Sequence, residues 1–394
     1  MKDMLVTSLA VKAARLLIGI MLLASFVSLS PTRAAYAASI DVTTYVDDFI
    51  NNGNCTLREA IYAANTDQPR DRCAAGSGTD TIVLGPRPVY LIGPANDDLG
   101  YSGDLDITAS LNLVGDKANP TVISGSNIDR VFDIQPGVQA TVSNVTIQDG
   151  MGGGIRNQGL FRLNDSTVSN NNGYGIANMG TLYVSKSTIT NNSDSGIFHQ
   201  GVMVTVESST ISHNWGVVGG GGILLAGGSF LMSNSTVSGN KTGGYWWNAG
   251  IQVYDAGKLT VSFSTITDNE FGGVATYGNG QVTIQHTILA GNISRDCYGT
   301  LTSYGNNLIQ KSEWTLAAKS TDLLNKDPML GPLQNNGGPT LTHAPLPGSP
   351  VIDAGQASLS STGSTTDQRG AARYSDGNRD GRTQYDMGAV EVAP

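Results

Sequence analysis

An asparagine recurs as Asn171, Asn192, Asn214, Asn240, Asn269 and Asn292, and chemistry-bearing side chains keep fixed offsets from it. His213 and Asp268 stand one place before it. Trp215, Lys241 and Glu270 stand one place after, and Asp194 two places after. In stacked repeats, equal offsets bring side chains to about 5 Å from one coil to the next. An imidazole, an ammonium and two carboxylates so placed are the parts of acid–base catalysis, which makes His213, Lys241, Asp268 and Glu270 the catalytic candidates. The two longest repeats open here and add Tyr245, Trp246 and Trp247 beside Trp215. Such rings stack on sugar faces while acids and amides bond hydroxyls. Glycan binding, catalysis on a glycan, and indoles simply folded over the protein to shield an edge are the three readings of this cluster.

A second pattern offers metal ligands. Asp376-Gly377-Asn378-Arg379-Asp380-Gly381 sets side-chain oxygens at alternate positions before a glycine, like the first half of a calcium loop. Position twelve, where a bidentate Glu belongs, is Met387, and Asp386 one place earlier is the substitute. Asp376, Asn378, Asp380 and Asp386 are therefore the candidates for a structural Ca2+; an acidic surface turn is the alternative.

Other catalytic sets are incomplete. Uronate hydrolysis needs grouped Asp residues with a His and an Arg-x-Lys. Asn96-Asp97-Asp98 supplies a pair, but no Arg-x-Lys or Gly-His-Gly accompanies it, and Asn65-Thr66-Asp67 falls at the tail of a helix. Calcium-dependent elimination needs an Asp cluster and an Arg or Lys base on one sheet. Between residues 150 and 292 the basic residues are Arg156, Arg162, Lys186, Lys241 and Lys258, and no two of them share a column on adjacent repeats.

The elements that position these groups follow from the repeat. Three residues before each Asn is an aliphatic: Val168, Ile189, Ile211, Val237, Ile266 and Leu289. Eight and ten before are apolar pairs such as Leu163 with Phe161 and Val184 with Leu182. Alternation with polar residues marks short strands. A unit of 21 to 29 residues cannot bury its own apolar face, but stacked units can. The spacing predicts an all-β solenoid, a parallel β-helix over residues 81–310, with the Asn column as an internal hydrogen-bond ladder. A bare turn preference of Asn is the alternative.

Composition agrees with such a fold. Glycine is 50 of 394 residues and charged residues are 14%, against usual values of roughly 7% and 25%. Helical bundles are thereby excluded, and 39% apolar content excludes charge-driven disorder.

Residues 1–37 read as a signal peptide, with basic Lys2, Lys12 and Arg15, an apolar stretch over residues 16–29, and small Ala34, Ala35 and Ala37. Without them 19 basic and 31 acidic residues remain, a net charge of −12. That charge repels phosphate backbones, so nucleic acid is excluded as a partner. No second apolar stretch is long enough for a membrane span. The chain is expected to be secreted or displayed at the cell surface, a monomer, and partnered by a polysaccharide or cell-surface glycan. Export permits a disulfide. Cys55 and Cys73 are 18 residues apart and Cys297 is left over.

Solenoid ends need covers. Thr56-Leu57-Arg58-Glu59 is a capping box, with Leu57, Ala60, Ile61 and Ala64 on one helical face. The run from Cys55 through Asn65 resembles the CSLREA motif of bacterial surface β-helix proteins, with Thr56 for the usual Ser, and residues 73–82 are similar to that family's continuation. Towards the C-terminus, Asp327-Pro328-Met329-Leu330-Gly331-Pro332-Leu333, Pro347-Gly348-Ser349-Pro350-Val351-Ile352-Asp353-Ala354-Gly355, Thr366-Asp367-Gln368-Arg369-Gly370 and Asp386-Met387-Gly388-Ala389-Val390-Glu391 resemble the choice-of-anchor Q module. Together these resemblances imply a right-handed, pectin-lyase-like β-helix with an N-terminal cap over residues 38–80 and a C-terminal cap module over residues 311–394. They imply display at a bacterial surface and no particular reaction. The chain ends at Pro394 without the anchor such proteins often carry, which favours release. Within the terminal module, Arg369 is expected to fork between carboxylates and hold the cap together.

Overall fold

The computed structural model describes residues 37–95, 100–243, 250–313, 316–356 and 365–394. One representative coil shows how sequence becomes structure. Ile155–Asn157, Leu160–Asn164 and Thr167–Ser169 are three short strands separated by tight corners. Phe161, Leu163 and Val168 point inward and are fully buried, while Arg162 and Asn164 between and beyond them are partly exposed. The next coil repeats the pattern in register, with Phe161 opposite Leu182, Leu163 opposite Val184 and Val168 opposite Ile189. Every such pairing is parallel, so like residues stack in columns. Burying each aliphatic contributes roughly 1.5–3 kcal/mol.

The columns build three parallel sheets of 12, 10 and 11 strands. At ~4.8 Å per strand the 12-stranded sheet makes a rod on the order of 50 Å long. The architecture is the all-β parallel helix that the repeat predicts, but it is longer at both ends. Ser39–Asp41 already pairs with Asp80–Val83, so the first strand lies inside the segment read as the cap. The last coil continues past residue 310 through Leu316–Ala317 and Leu323–Leu324.

Buried polar columns hold the corners. The backbone amide and Nδ2 of Asn171 both donate to Asn192 Oδ1, at 3.1 and 2.9 Å. The same pair of bonds joins Asn192 to Asn214, Asn214 to Asn240, Asn240 to Asn269 and Asn269 to Asn292. Asn292 then donates both bonds to Asp296 Oδ1. A final acceptor needs no donor of its own, so a carboxylate ends the ladder. A serine column at the next corner works alike, each amide of Ser166, Ser187, Ser209 and Ser235 donating to the hydroxyl one coil on. Further along that corner, Asn307 donates its amide and Nδ2 to Asp322 Oδ1.

Helix α1, Leu57–Thr66, covers the edge of the 10-stranded sheet. Its capping box is formed: Glu59 N donates to Thr56 Oγ1 at 3.1 Å and Thr56 N donates to Glu59 Oε2 at 3.2 Å. Asn65 seals the open strand edge, giving Nδ2 to Asp106 O and accepting the amides of Thr108 and Ala109. Cys55 and Cys73, just before and after the helix, are joined as a disulfide.

The C-terminal module departs from the sequence reading. Instead of stacking on the end of the rod, it runs back along the outer face of the 11-stranded sheet. Thr210 Oγ1 donates to Leu341 O, Thr236 Oγ1 donates to Gln368 Oε1, and Ala389 N donates to Thr265 Oγ1. The physical reason lies in one outward column. It reads Thr146, Thr167, Thr188, Thr210, Thr236 and Thr265, then turns apolar at Ile288, Leu308 and Leu323. Ile288, Ala290 and Leu308 form a second core with Val351 and Met387. Gly388, at φ +93°, allows the close approach: a Cβ there would meet Ile288 Cδ1 at 2.5 Å.

Candidate functional site

The ridge of turns between the 11- and 10-stranded sheets carries the residues singled out by their offsets. The Asn ladder beneath fixes the backbone of each turn. Trp215–Gly216 and Lys241–Thr242 extend two of these turns into a small parallel ladder, with Trp215 directly opposite Lys241. Trp215 is 47% exposed, next to exposed Val217 and Val218. Asp194 Oδ1 accepts the amides of Ser195 and Val217 at 2.8 and 3.2 Å and ties the Trp215 loop to the preceding coil. His213, Lys241 and Asp268 are exposed and Glu270 is half-buried.

His343, reaching over from the C-terminal module, joins this ridge. Its Nδ1 lies 2.7 Å from Gly331 O, which can only accept, so Nδ1 carries the proton and Nε2 accepts the Ser238 hydroxyl at 2.8 Å. Asp268 Oδ2 is 3.8 Å from Nε2. Burial, the largest influence, pushes the His343 pKa down and keeps the ring neutral. Among the described residues no hydrogen bond or ion pair links His213, Lys241, Asp268 and Glu270 to one another. Tyr245, Trp246 and Trp247 lie outside the described residues, as do Asn96, Asp97 and Asp98.

A second cluster escaped the sequence reading. Asp106, Asp133 and Arg156 occupy the middle outward position of three adjacent strands, Leu105–Ile107, Phe132–Ile134 and Ile155–Asn157, and stand in register. Asp104, Asp106 and Asp133 bring one oxygen each within 4.8 Å of one another, and all three are buried. Arg156 clasps Asp133 through Nε at 3.0 Å and NH2 at 2.5 Å. Arg130 bridges Asp133 at 3.1 Å and Asp104 at 3.4 Å. Burial, then the charges of Asp106 and Asp129, push the Asp104 pKa up to about 7 against the pull of Arg130.

Buried Arg58 of α1 holds this loop in place. It forks onto Asp47 at 2.9 and 2.8 Å and donates to the carbonyls of Gly100, Gly103 and Asp104. Oxygen ligands of this kind suit a hard cation such as Ca2+, and a carboxyl near pKa 7 suits a shared proton. The signal was present in Leu105-Asp106-Ile107 and Phe132-Asp133-Ile134, each an acid between buried apolar residues. These coils precede the Asn column, so its register did not reach them.

The calcium candidates do not converge. Asp376 accepts the amides of Asp380 and Gly381, and Asn378 Oδ1 accepts Asp380 N, so these oxygens fold their own turn. Asp386 is buried elsewhere in the module, its two oxygens accepting Asp353 N at 2.7 Å and Val392 N at 2.6 Å. Met387 is a core residue. Asp353 is the carboxylate that meets the turn, accepting Asn378 N at 2.8 Å. Arg369 pairs with Asp367 at 2.7 Å and donates to Glu391 O, a single-carboxylate clasp. The deeply buried Arg373 sits 3.6 Å from Glu391 and donates to Asn234 Oδ1 of the rod and Gly388 O of the module.

These features define a right-handed parallel β-helix with a pectin-lyase-like fold. Residues 155–312 match the family model described as a right handed beta helix region. The crystal structure of pectate lyase Pel9A is similar in fold, with a TM-score of 0.53 and 14% identity over 89% of this chain and 97% of that one. No curated protein matches the chain. No described helix is long and apolar enough to cross a membrane.

Proposed function

We propose that the protein is a secreted or surface-displayed rod that holds a polysaccharide without cleaving it, adhesin-like and monomeric. The observation that carries this reading is Trp215. Its indole stays 47% exposed on a ridge pinned by the Asn ladder, opposite Lys241 and one coil from Asp194. A rigid, exposed ring flanked by polar groups is the arrangement that binds sugars. The overall net charge of −9 favours a neutral glycan over a polyanion. Calcium is proposed as structural only, on the lone pairs that Asp376, Asn378 and Asp380 keep beyond their amide bonds and without Asp386, and a rise in unfolding midpoint on adding Ca2+ supports it.

The test is a screen of plant and bacterial polysaccharides scored for retention and for new reducing or unsaturated ends. Retention without new ends, weakened by Trp215→Ala, is the expected result. Unchanged retention by Trp215→Ala overturns the ridge. A second reading, a polysaccharide lyase or glycoside hydrolase, draws on the Asp104, Asp106 and Asp133 cluster beside Arg156. New ends that disappear with Asp133→Asn support it over the first.

A further inference from the structure

The C-terminal module ends its contact with the rod at an edge, and a groove of mixed polar and apolar lining opens there. Three adjoining clefts of about 420, 300 and 180 Å3 meet around Pro339. Asp165 and Lys186 line one side and Thr167 and Thr188 form the floor. Asp165 and Lys186 occupy the same corner of consecutive coils, both left-handed at φ +46° and +49°. Ser208 is the third member of that corner at φ +49° and also lines the groove. Among the described residues neither the Asp165 carboxylate nor the Lys186 ammonium has an ion-pair partner, although they are neighbours along the column.

The floor is equally informative. Thr167 and Thr188 continue the column in which Thr210, Thr236 and Thr265 bond to the module. The covered hydroxyls take a carbonyl, an amide oxygen and an amide N–H as partners. The column is therefore a rail of hydroxyls at ~4.8 Å intervals that donates or accepts according to what lies on it. Thr167 and Thr188 are half-exposed and present the same groups to the groove.

We infer that this groove, bounded by Asp165, Lys186, Thr167, Thr188, Ser208 and Pro339, is a second saccharide-binding site that takes a neutral linear oligosaccharide. A carboxylate accepts from sugar hydroxyls, an ammonium donates to them, and threonine hydroxyls do both. The Pro339 ring supplies an apolar wall. Asp165 and Lys186 supply one charge of each sign, and the other two charges lining the largest cleft, Asp367 and Arg369, are paired with each other at 2.7 Å, a balance that favours a neutral chain over a polyanion. The inference rests on the reading of the protein as a glycan-binding rod, but on different residues from the Trp215 ridge.

Isothermal titration of the intact protein with cellohexaose, mannohexaose and trigalacturonate tests it. At least one neutral hexaose is expected to bind, and Lys186→Ala and the hydroxyl-only change Thr188→Val are each expected to weaken it by about tenfold, the equivalent of one or two hydrogen bonds. Trp215→Ala run in parallel separates the sites. Loss with Trp215→Ala but not with the groove variants overturns the groove and leaves the ridge standing. Loss with the groove variants alone supports the groove and overturns the ridge. Absence of binding by any probe, or tighter binding of trigalacturonate, overturns the inference. Lys186 is exposed, so Lys186→Ala remains a valid probe if Thr188→Val perturbs folding.

Discussion

The outer face of the 11-stranded sheet is one surface with two fates. From Thr210 onward it lies under the C-terminal module; at Thr167 and Thr188 the same residue type in the same register borders an open groove. The covered length is dense with long-range bonds. Gln368 Nε2, with two hydrogens to donate, lies within 3.2 Å of four acceptors, Ser209 O, Thr210 Oγ1, Thr340 Oγ1 and Leu341 O. The open length has Thr hydroxyls and two unpaired charges. Residue type alone therefore does not decide what a solenoid face does. The apolar end of the column, Ile288 and Leu308, anchors the module, and the length of the module sets how far the cover reaches.

Removing the most buried link should break that cover. Arg373→Ala strips a buried cation from Glu391, Asp386 and Asp367, and unpaired buried charges cost ~3–5 kcal/mol. Chemical denaturation should show the module unfolding far below the rod, and a single unshifted transition would contradict the comparison. Gln368→Ala leaves the buried Thr236 hydroxyl without its acceptor and removes the amide that bridges Ser209 and Thr210 to Leu341, at about 2–3 kcal/mol. The same denaturation series measures it.

Acidity sharpens the contrast. The Glu391 pKa is raised to about 7 and that of Asp386 to about 6, in both cases chiefly by burial. Folded-state pKa values above the unfolded ones mean that the folded module holds these protons more tightly. Their stabilising contribution is complete below about pH 4 and is lost as pH rises through 6 to 7. Asp104 adds a step of the same sign at the other end of the rod. The difference in melting midpoint between wild type and Glu391→Gln from pH 4 to 8 therefore isolates the covered flank. A difference that does not vary with pH would remove the titrating carboxyl from the account. The smallest effect compares two threonines. Thr236→Val orphans the Gln368 oxygen and should cost about 1–2 kcal/mol, whereas Thr188→Val should stay within about 0.5 kcal/mol. Equal costs would mean that the two lengths of sheet are not different in kind.

What could be read from residues alone was what repeats. The Asn column, the aliphatic three places before it and the alternating pairs report contacts at a constant interval, and those contacts form the rod. The reading stopped near Asn292 because the next acceptors are Asp296 and Asp322, carboxylates where the pattern has Asn or Ser. The acid column of Asp106 and Asp133 lies in coils that have Ser126 and Gly150 where the ladder has Asn, and so had no register to place it. The fold-back of the module was hidden more deeply. Thr210 and Leu341 are 131 residues apart, and Thr236 and Gln368 are 132 apart. Nothing periodic encodes such a contact, so a segment that looks like an end cap in sequence lies along a side in space. The ridge of His213, Trp215, Lys241, Asp268 and Glu270 was found by offset, but His343, which packs against it, comes from that same non-periodic segment.

Hydrogen exchange of the intact protein, with and without the polysaccharide retained best in the screen, tests the central claim most directly. The account predicts slowed exchange in peptides covering residues 160–190 and 213–222, no change under the module at Thr236–Ser238 and Thr265–Thr267, and no new saccharide ends. Slowed exchange confined to residues 104–134, together with new ends, would contradict it and assign the protein to catalysis at the buried aspartates.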